Sequence, residues 1–471
     1  MGVMDYSETY ARYLPKWQKC RDAIAGEDEV KAKGETYLPR PSGMDEKDYK
    51  GYIGRAQFFD AGGRTLDGLV GLIGRKPVII EVPDGMERYL DNVDGRGHSA
   101  GSFIMACIKD VLTTGWGSVL VDMPASGGAV SQRDFEDQGL GAYMTYYKAE
   151  ASTRWRWQSD GRRQVLRYVI LREETEVDTG DYGTETRDFY RVCEIDGDGR
   201  YRQRLYNDRA EVVSEVEPKW RGGNFREIPF AFLSARDAPE EPLLLDLVNV
   251  NMSHYRKSAD YENGLHWTGV PTPYERGWQP ETKYDNDGKE IAEKPMKLGG
   301  SQFLYFPEGT EQVGFLEYSG SGLSQLASAM QTDEDRMAIL GARIIAQQRK
   351  GVEAAETAKI HNAAENSVLA NFANEMSGIF SRLIRIYLEW SSGQEISPED
   401  VRVEINTDYD VVAMSAPELN ALVSLWQSGG IAKRDLFRNL KEGEILPADR
   451  NFDEMSAEIE EEQKSGLSPA E

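Results

Sequence analysis

GVEAAETAKIHNAAENSVLANFANEMSGIFSRLIRIYLEW, residues 351–390, is the stretch that decides how the rest of the chain is read. It has no proline, and Val368, Phe372, Met376, Ile379, Leu383, Ile386 and Trp390 recur every three or four positions, the spacing of one helical face. One helix of about 38 residues would span roughly 57 Å, well beyond the usual three or four turns. Its halves differ. The first is small and polar (Ala354, Ala355, Thr357, Ala358, Asn362, Ala363), which suits close packing against a copy of itself, the wall of a wet channel, or a solvated surface. The second is bulky and suits a domain core.

The chain has 471 residues, enough for about two to four domains of roughly 100–200 residues each. Cys20, Cys107 and Cys193 are far apart and form no CxxC pair, so the sequence fits a reducing compartment and offers neither a disulfide framework nor a zinc site. The opening MGVMDYSETYARYL has no basic segment followed by an apolar core, and no uncharged apolar run approaches the ~18 residues a membrane span needs. A soluble, non-exported protein without membrane contact is the expectation. Eighty acids against 55 bases give a formal charge of −25. That balance argues against tight wrapping of nucleic acid, which depends on cations neutralising phosphates.

Residues 5–26 read as an amphipathic helix (Tyr6, Tyr10, Tyr13, Trp17, Cys20, Ile24), and 50–76 again show helical spacing. Gly74-Arg75-Lys76-Pro77 lacks the hydroxyl and amide of a phosphate loop. A short strand is predicted at 78–82, and a helix over 102–113 runs into the apolar strand Gly117–Asp122. Short alternating strands at 154–158, 165–172, 189–195, 201–206 and 228–233 predict an antiparallel β region. Glu194, Asp196, Asp198 and Gly199 imitate the opening of a calcium loop, but the twelfth position is Leu205 rather than glutamate, so a hairpin turn reads better. A helix follows to about Trp267, then a Gly/Pro-rich, strand-like insert between Gly269 and Ser319, then a return helix in which 332–336 (TDEDR) reads as solvated. Residues 342–351 read as a connector into the long helix. Beyond it come a strand at 401–406 and helices at 417–427, 433–441 and 453–463.

The pieces LLLDLVNVNMSHYRKSADYENGLHWTGVPTP (243–273), TGWGSVLVD (114–122), QRKGVEAAETA (348–358), ENSVL (365–369) and VEINTD (403–408), with the order of parts around them, resemble the portal proteins of tailed bacteriophages over nearly the whole chain. The resemblance implies an α+β, multi-region subunit. It has an α/β wing at 1–240 to which 391–406 return, stem helices at 241–267 and 320–341, and a small β clip at 268–319. A tunnel loop at 342–352, a long central helix at 353–390 and a helical crown at 407–471 complete it. It further implies a homo-oligomeric ring, usually of twelve, at one capsid vertex. Double-stranded DNA would pass through without sequence specificity, and a terminase, a head–tail adaptor, and capsid and scaffold proteins would be its partners. The implied location is the virion, and the host cytoplasm during assembly.

Within that frame the tunnel loop supplies Arg343, Gln347, Gln348, Arg349 and Lys350 as candidate DNA-channel residues, a few cations on an acidic chain. The bland alternative is the ordinary preference of a helix C-terminus for positive charge. Trp278, Phe303, Tyr305, Phe306 and Phe315 are more aromatics than a solvated insert needs, which makes them candidate interface residues. Enzyme activity is not expected. His98, His254, His266 and His361 lie in separate segments, and there is no GxSxG elbow. No catalytic residue, metal or cofactor is assigned. The alternatives are another capsid assembly component and, further off, a carboxylate-dependent hydrolase, since paired carboxylates are common among 80 acids.

Overall fold

A computed structural model of the chain describes residues 2–124, 141–180, 182–234, 238–270, 272–276, 304–306, 312–316, 320–345, 355–407, 409, 416–427, 430–442, 445–446, 450–452 and 455–459. The fold is mixed α+β. Four helices and a strand come first: α1 (Glu8–Ala25), α2 (Glu27–Ala32), α3 (Glu46–Arg55), α4 (Ala61–Ile73) and β1 (Ile79–Glu81). Ser7 caps α1 by accepting the Tyr10 amide, and Asp60 caps α4 by accepting the Gly63 amide. The Asp60 cap is why the helical spacing over 50–76 resolves into two helices instead of one.

Helix α5 (Ala100–Thr114) ends in a left-handed Gly115 and turns into β2 (Gly117–Asp122). A side chain at Gly115 would meet the Glu240 carbonyl oxygen at 3.1 Å. β3 (Tyr143–Lys148) pairs antiparallel with one edge of β2. Next come β4 (Ser152–Asp160), β5 (Arg163–Gly180), β6 (Gly183–Ile195), β7 (Tyr201–Tyr206) and β8 (Val212–Val216), which form one antiparallel sheet in chain order. β9 (Phe230–Phe232) returns to the other edge of β2.

β2 is buried at all six positions. Strand side chains alternate between faces, so Val119 and Val121 enter a core shared with Leu69, Ile104 and Ile108, while Leu120 enters a second one. That second core joins Trp17 of α1 and Trp116 to Val169, Leu171, Cys193 and Tyr201 of the five-stranded sheet. Trp116 stacks on Phe232 with ring centroids 4.4 Å apart.

The five-stranded sheet is not uniform. β4 pairs with β5 only as far as Leu171, and β7 pairs with β6 only as far as Tyr190. Beyond those residues β5 and β6 pair, among the described residues, only with each other, out to Gly180 and Gly183. This ribbon was not expected from the sequence, in which strands end at Arg172 and resume at Phe189. At the opposite end, Asp196 closes the β6–β7 hairpin by accepting the amides of Asp198 and Arg200, both at 2.9 Å. The residues that imitate a calcium loop are a hairpin turn.

α6 (Leu245–Gly269) and α7 (Leu323–Ile345) flank a three-stranded sheet of β10 (Thr272–Arg276), β11 (Leu304–Phe306) and β12 (Gln312–Leu316). α8 (Ala355–Ser392) is 38 residues long. The face read in the sequence is buried at Met376, Leu383, Ile386 and Trp390, but the covered face is wider and shifted. Ala373, Phe380, Ile384 and Leu388 are fully buried, whereas Phe372 and Ile379 only pack against the core from its margin. From Leu383 to Trp390 nearly every position is covered because the helix has entered the body.

Two serines hold the end of α8. Ser377 and Ser381 accept the backbone amides of Ile405 (3.0 Å) and Val403 (2.9 Å), while their hydroxyls donate to carbonyls one turn back in α8. The segment they hold includes β13 (Arg402–Glu404), which pairs antiparallel with β1. α9 (Ala416–Gln427) and α10 (Lys433–Glu442) follow, and of the helix expected at 453–463 residues 455–459 are helical.

Candidate functional site

The helix pair that carries the inserted sheet is built from buried polar contacts as much as from apolar ones. On α6, Lys257 donates to Asp333 of α7 at 2.6 Å, and His254 Nε2 lies 3.3 Å from Glu334. Asp333 is 2% exposed, which corrects the reading of 332–336 as a solvated stretch. Its neighbours Thr332, Asp335 and Arg336 are exposed. The charge run hides one carboxylate whose partner sits 76 residues away, and local sequence carries no trace of that pairing.

Met337 and Leu247 pack with Ala61, and Gly341 lets α7 come close to α4: a side chain there would meet Thr65 Oγ1 at 2.9 Å. The other side of α6 is tied to the N-terminal helices. Tyr52 donates to Asp260 (2.6 Å), Arg55 to Asn263 (2.7 Å), the Gln57 amide to Ser258 (2.8 Å) and Arg256 to the Tyr37 carbonyl (2.9 Å). The helix pair is thus anchored along α6.

In the inserted sheet, β10 is central, parallel to β11 and antiparallel to β12. Tyr305 and Phe306 stand opposite Glu275 and Arg276, and Phe315 stands opposite Pro273. Phe315 is 63% exposed, a large apolar side chain left open to solvent. Trp278 and Phe303 lie outside the described residues, as do Gln347, Gln348, Arg349 and Lys350. Arg343 lies in the last turn of α7, which runs through Ile345, so the segment read as a connector from Ala342 onward begins as helix. GARII contains no breaker, and the next glycine is Gly351. The structure therefore brings Tyr305, Phe306 and Phe315 into one small sheet and sets Arg343 at the end of the helix leading away from it.

Two polar networks escaped sequence reading altogether. Arg21 of α1 grips both oxygens of Asp110 on α5 (2.6 and 2.8 Å) and reaches Glu150 (2.5 Å), while the Tyr146 hydroxyl donates to Asp110 at 2.6 Å. Burial works against the Arg21 charge, but its bonds to Asp110 and Glu150 outweigh that and raise its pKa. Nearby, Arg191 binds Glu173 (2.6 and 3.2 Å) and Gln203 (2.9 Å), and Gln203 donates to Asp122 at 2.9 Å. Burial raises the Asp122 carboxyl, and Arg191 opposes the rise.

A cavity of about 730 Å³ lies beside Asp110, lined also by Asp94, His98, Tyr146 and Lys148. Both oxygens of Asp110 accept from Arg21 or Tyr146, so this carboxylate joins α1, α5 and β3. Among the described residues no group of three or more His, Cys, Asp or Glu could hold a metal ion, and no helix is long and apolar enough to cross a membrane.

Residues 242–391, which span α6, the inserted sheet, α7 and nearly all of α8, match a family described as "Domain of unknown function (DUF4055)". No curated protein matches the sequence. Among solved structures, the chain is similar to a chain of the neck of an empty GTA particle computed with C6 symmetry, at 12% identity and a TM-score of 0.36, covering 84% of this chain and 92% of the other. It is also similar to a chain of the virion of a native gene transfer agent (GTA) particle, at 12% identity and a TM-score of 0.33, covering 86% and 95%. A third likeness is to the neck of the native GTA particle computed with C12 symmetry, at 12% identity and a TM-score of 0.30.

Proposed function

We propose that this chain is a subunit of a phage-type head–tail connector and, within that class, of the portal ring through which double-stranded DNA enters and leaves a capsid. It is not an enzyme in this reading. The observation that carries it is the run from α6 to α8. Two helices are locked by Lys257–Asp333, a small sheet with an exposed Phe315 is spliced between their ends, and a 38-residue helix begins soon after and ends buried in the body. A globular catalyst has no use for a small sheet held out on a helix pair and followed by a helix of that length. A ring subunit does, because such a helix can line a passage while the sheet forms a rim.

In this assembly the inserted sheet meets neighbouring subunits and presents the rim to a terminase and later to an adaptor, and capsid and scaffold proteins surround the body. Arg343 to Lys350 meet passing DNA without reading its sequence. The formal charge of −25 keeps duplex DNA from adhering, as a sliding channel requires. Twelve is the expected subunit number, the virion the expected location, and no cofactor is needed. Negative-stain microscopy of the purified chain tests the reading: rings with a central hole are expected. Compact monomers at high concentration, with and without scaffold, would overturn it.

A further inference from the structure

The outer part of the β5–β6 ribbon, residues 173–188 (EETEVDTGDYGTETRD), holds seven acids and one base. It has no third strand among the described residues, and most of its side chains are exposed. Tyr182 at its tip is fully open to solvent. Glu174 stands directly opposite Asp188, a like-charge pair that Arg172 bridges by reaching both. Glu176 and Asp178 have no cationic partner among the described residues. A two-stranded ribbon is marginal at best in water on its own, and this one also carries uncompensated negative charge.

The other end of the same strand has the opposite character. Residues 154–167 (RWRWQSDGRRQVLR), the hairpin that joins β4 to β5, hold five arginines and one aspartate, and Arg156 and Arg162 are exposed. β5 is 18 residues long, so its two ends stand roughly 60 Å apart. A continuous paired strand cannot fold back on itself, so the acidic and basic ends of one chain never meet. Those of two chains can, and a contact between different surfaces of identical subunits is the kind that closes a ring.

We propose that the acidic ribbon of one subunit docks on the β4–β5 hairpin of the next, its carboxylates facing Arg156 and Arg162. This rests on the ring reading above and names a surface that carries ring closure. The contact is head to tail, and salt weakens it because its charges lie near solvent.

Charge reversal tests it. One variant carries Glu176→Lys, Asp178→Lys and Glu185→Lys, and the other carries Arg156→Glu and Arg162→Glu. Circular dichroism checks that each is folded, and sedimentation with negative-stain microscopy reads assembly. Each variant alone should need about tenfold more protein to form rings than the unaltered chain, the effect of a few exposed pairs turned repulsive. Mixed in equal amounts, the two should form rings again, because each supplies the charge the other lacks. Rings from either variant at unaltered concentration would overturn the ribbon contact and leave the ring reading standing. Loss in both without recovery on mixing would overturn it too, since the surfaces would then serve other partners. If the unaltered chain forms no ring, both readings fall. Should a reversal variant fail to fold, Tyr182→Cys/Arg162→Cys in the otherwise unaltered chain replaces it. Oxidation should link subunits into a covalent ladder, and rings without any cross-link would overturn the contact.

Discussion

β2 and the outer half of β5 are both antiparallel strands, yet they share little beyond backbone geometry. β2 has a strand on each side and is buried at every position. Among the described residues the outer half of β5 has one neighbouring strand, and from Glu174 to Gly180 only Val177 is even partly covered. In β2 the side chains fill two cores and the ladder sets the register, whereas in the ribbon the ladder is nearly all there is. A strand in this protein owes its stability to what its side chains displace from water, and where nothing is displaced the covering surface must come from elsewhere.

Alkali should expose the contrast most strongly. Burial pushes Tyr143 on β3 up to about 12 and Tyr146 and Tyr147 well above the ordinary phenol value, and Tyr10, Tyr255 and Tyr387 are each raised to about 12. A raised phenol pKa means that the folded state keeps a proton that the unfolded chain gives up above pH 10.0. Stability is therefore lost as pH rises from that point towards 12, by up to about 1.4 kcal/mol per pH unit for each such tyrosine. Urea midpoints should be level up to about pH 9.5 and fall steeply beyond it. A level profile through pH 11 would mean that β3 is not buried.

Next in size is a matched pair of truncations. Leu120→Ala empties a fully buried position between two sheets and should cost about 2–5 kcal/mol. Val177→Ala on the ribbon should stay within about 0.5 kcal/mol. Denaturant unfolding followed by circular dichroism measures both, and equal losses would erase the distinction between the strands. β13 is the intermediate case, with a strand on one side and a helix on the other. Ser381→Ala removes the acceptor of the Val403 amide and should cost about 1–2 kcal/mol, with faster hydrogen exchange at Val403. Unchanged exchange at that amide would show that the serine is not its acceptor in solution.

Much of this was legible in the sequence. A proline-free stretch with a three-to-four repeat gave a helix of the observed length, and Gly117–Asp122 stood out because an apolar run bounded by Gly and Pro has few other fates. The ribbon was hidden because Glu, Asp and Thr between Arg172 and Phe189 carry neither apolar alternation nor an apolar run. β3 was passed over among aromatics that mark either a strand or a helix face. At the candidate site the helix pair and the inserted strands could be read from periodicity and Gly/Pro punctuation. The Lys257–Asp333 bond and the Arg21–Asp110 grip could not, because nothing local distinguishes a carboxylate that will meet its cation far along the chain from one that stays in water.

The two serines on α8 work like the marks of a vernier. Four residues of helix advance about 6 Å and two residues of strand about 6.7 Å, so Ser377 and Ser381 can both meet alternate amides, while a third match would already be out by more than an ångström. Two coincidences fix the helix along its axis and around it. A slip by one turn would offer one of those amides Ala373 or Arg385 in place of a hydroxyl, neither of which can accept, so the C-terminal end of the long helix has a single seat. Any force applied along α8 is then delivered through β13 to β1, a strand from the opposite end of the chain, rather than spent in sliding.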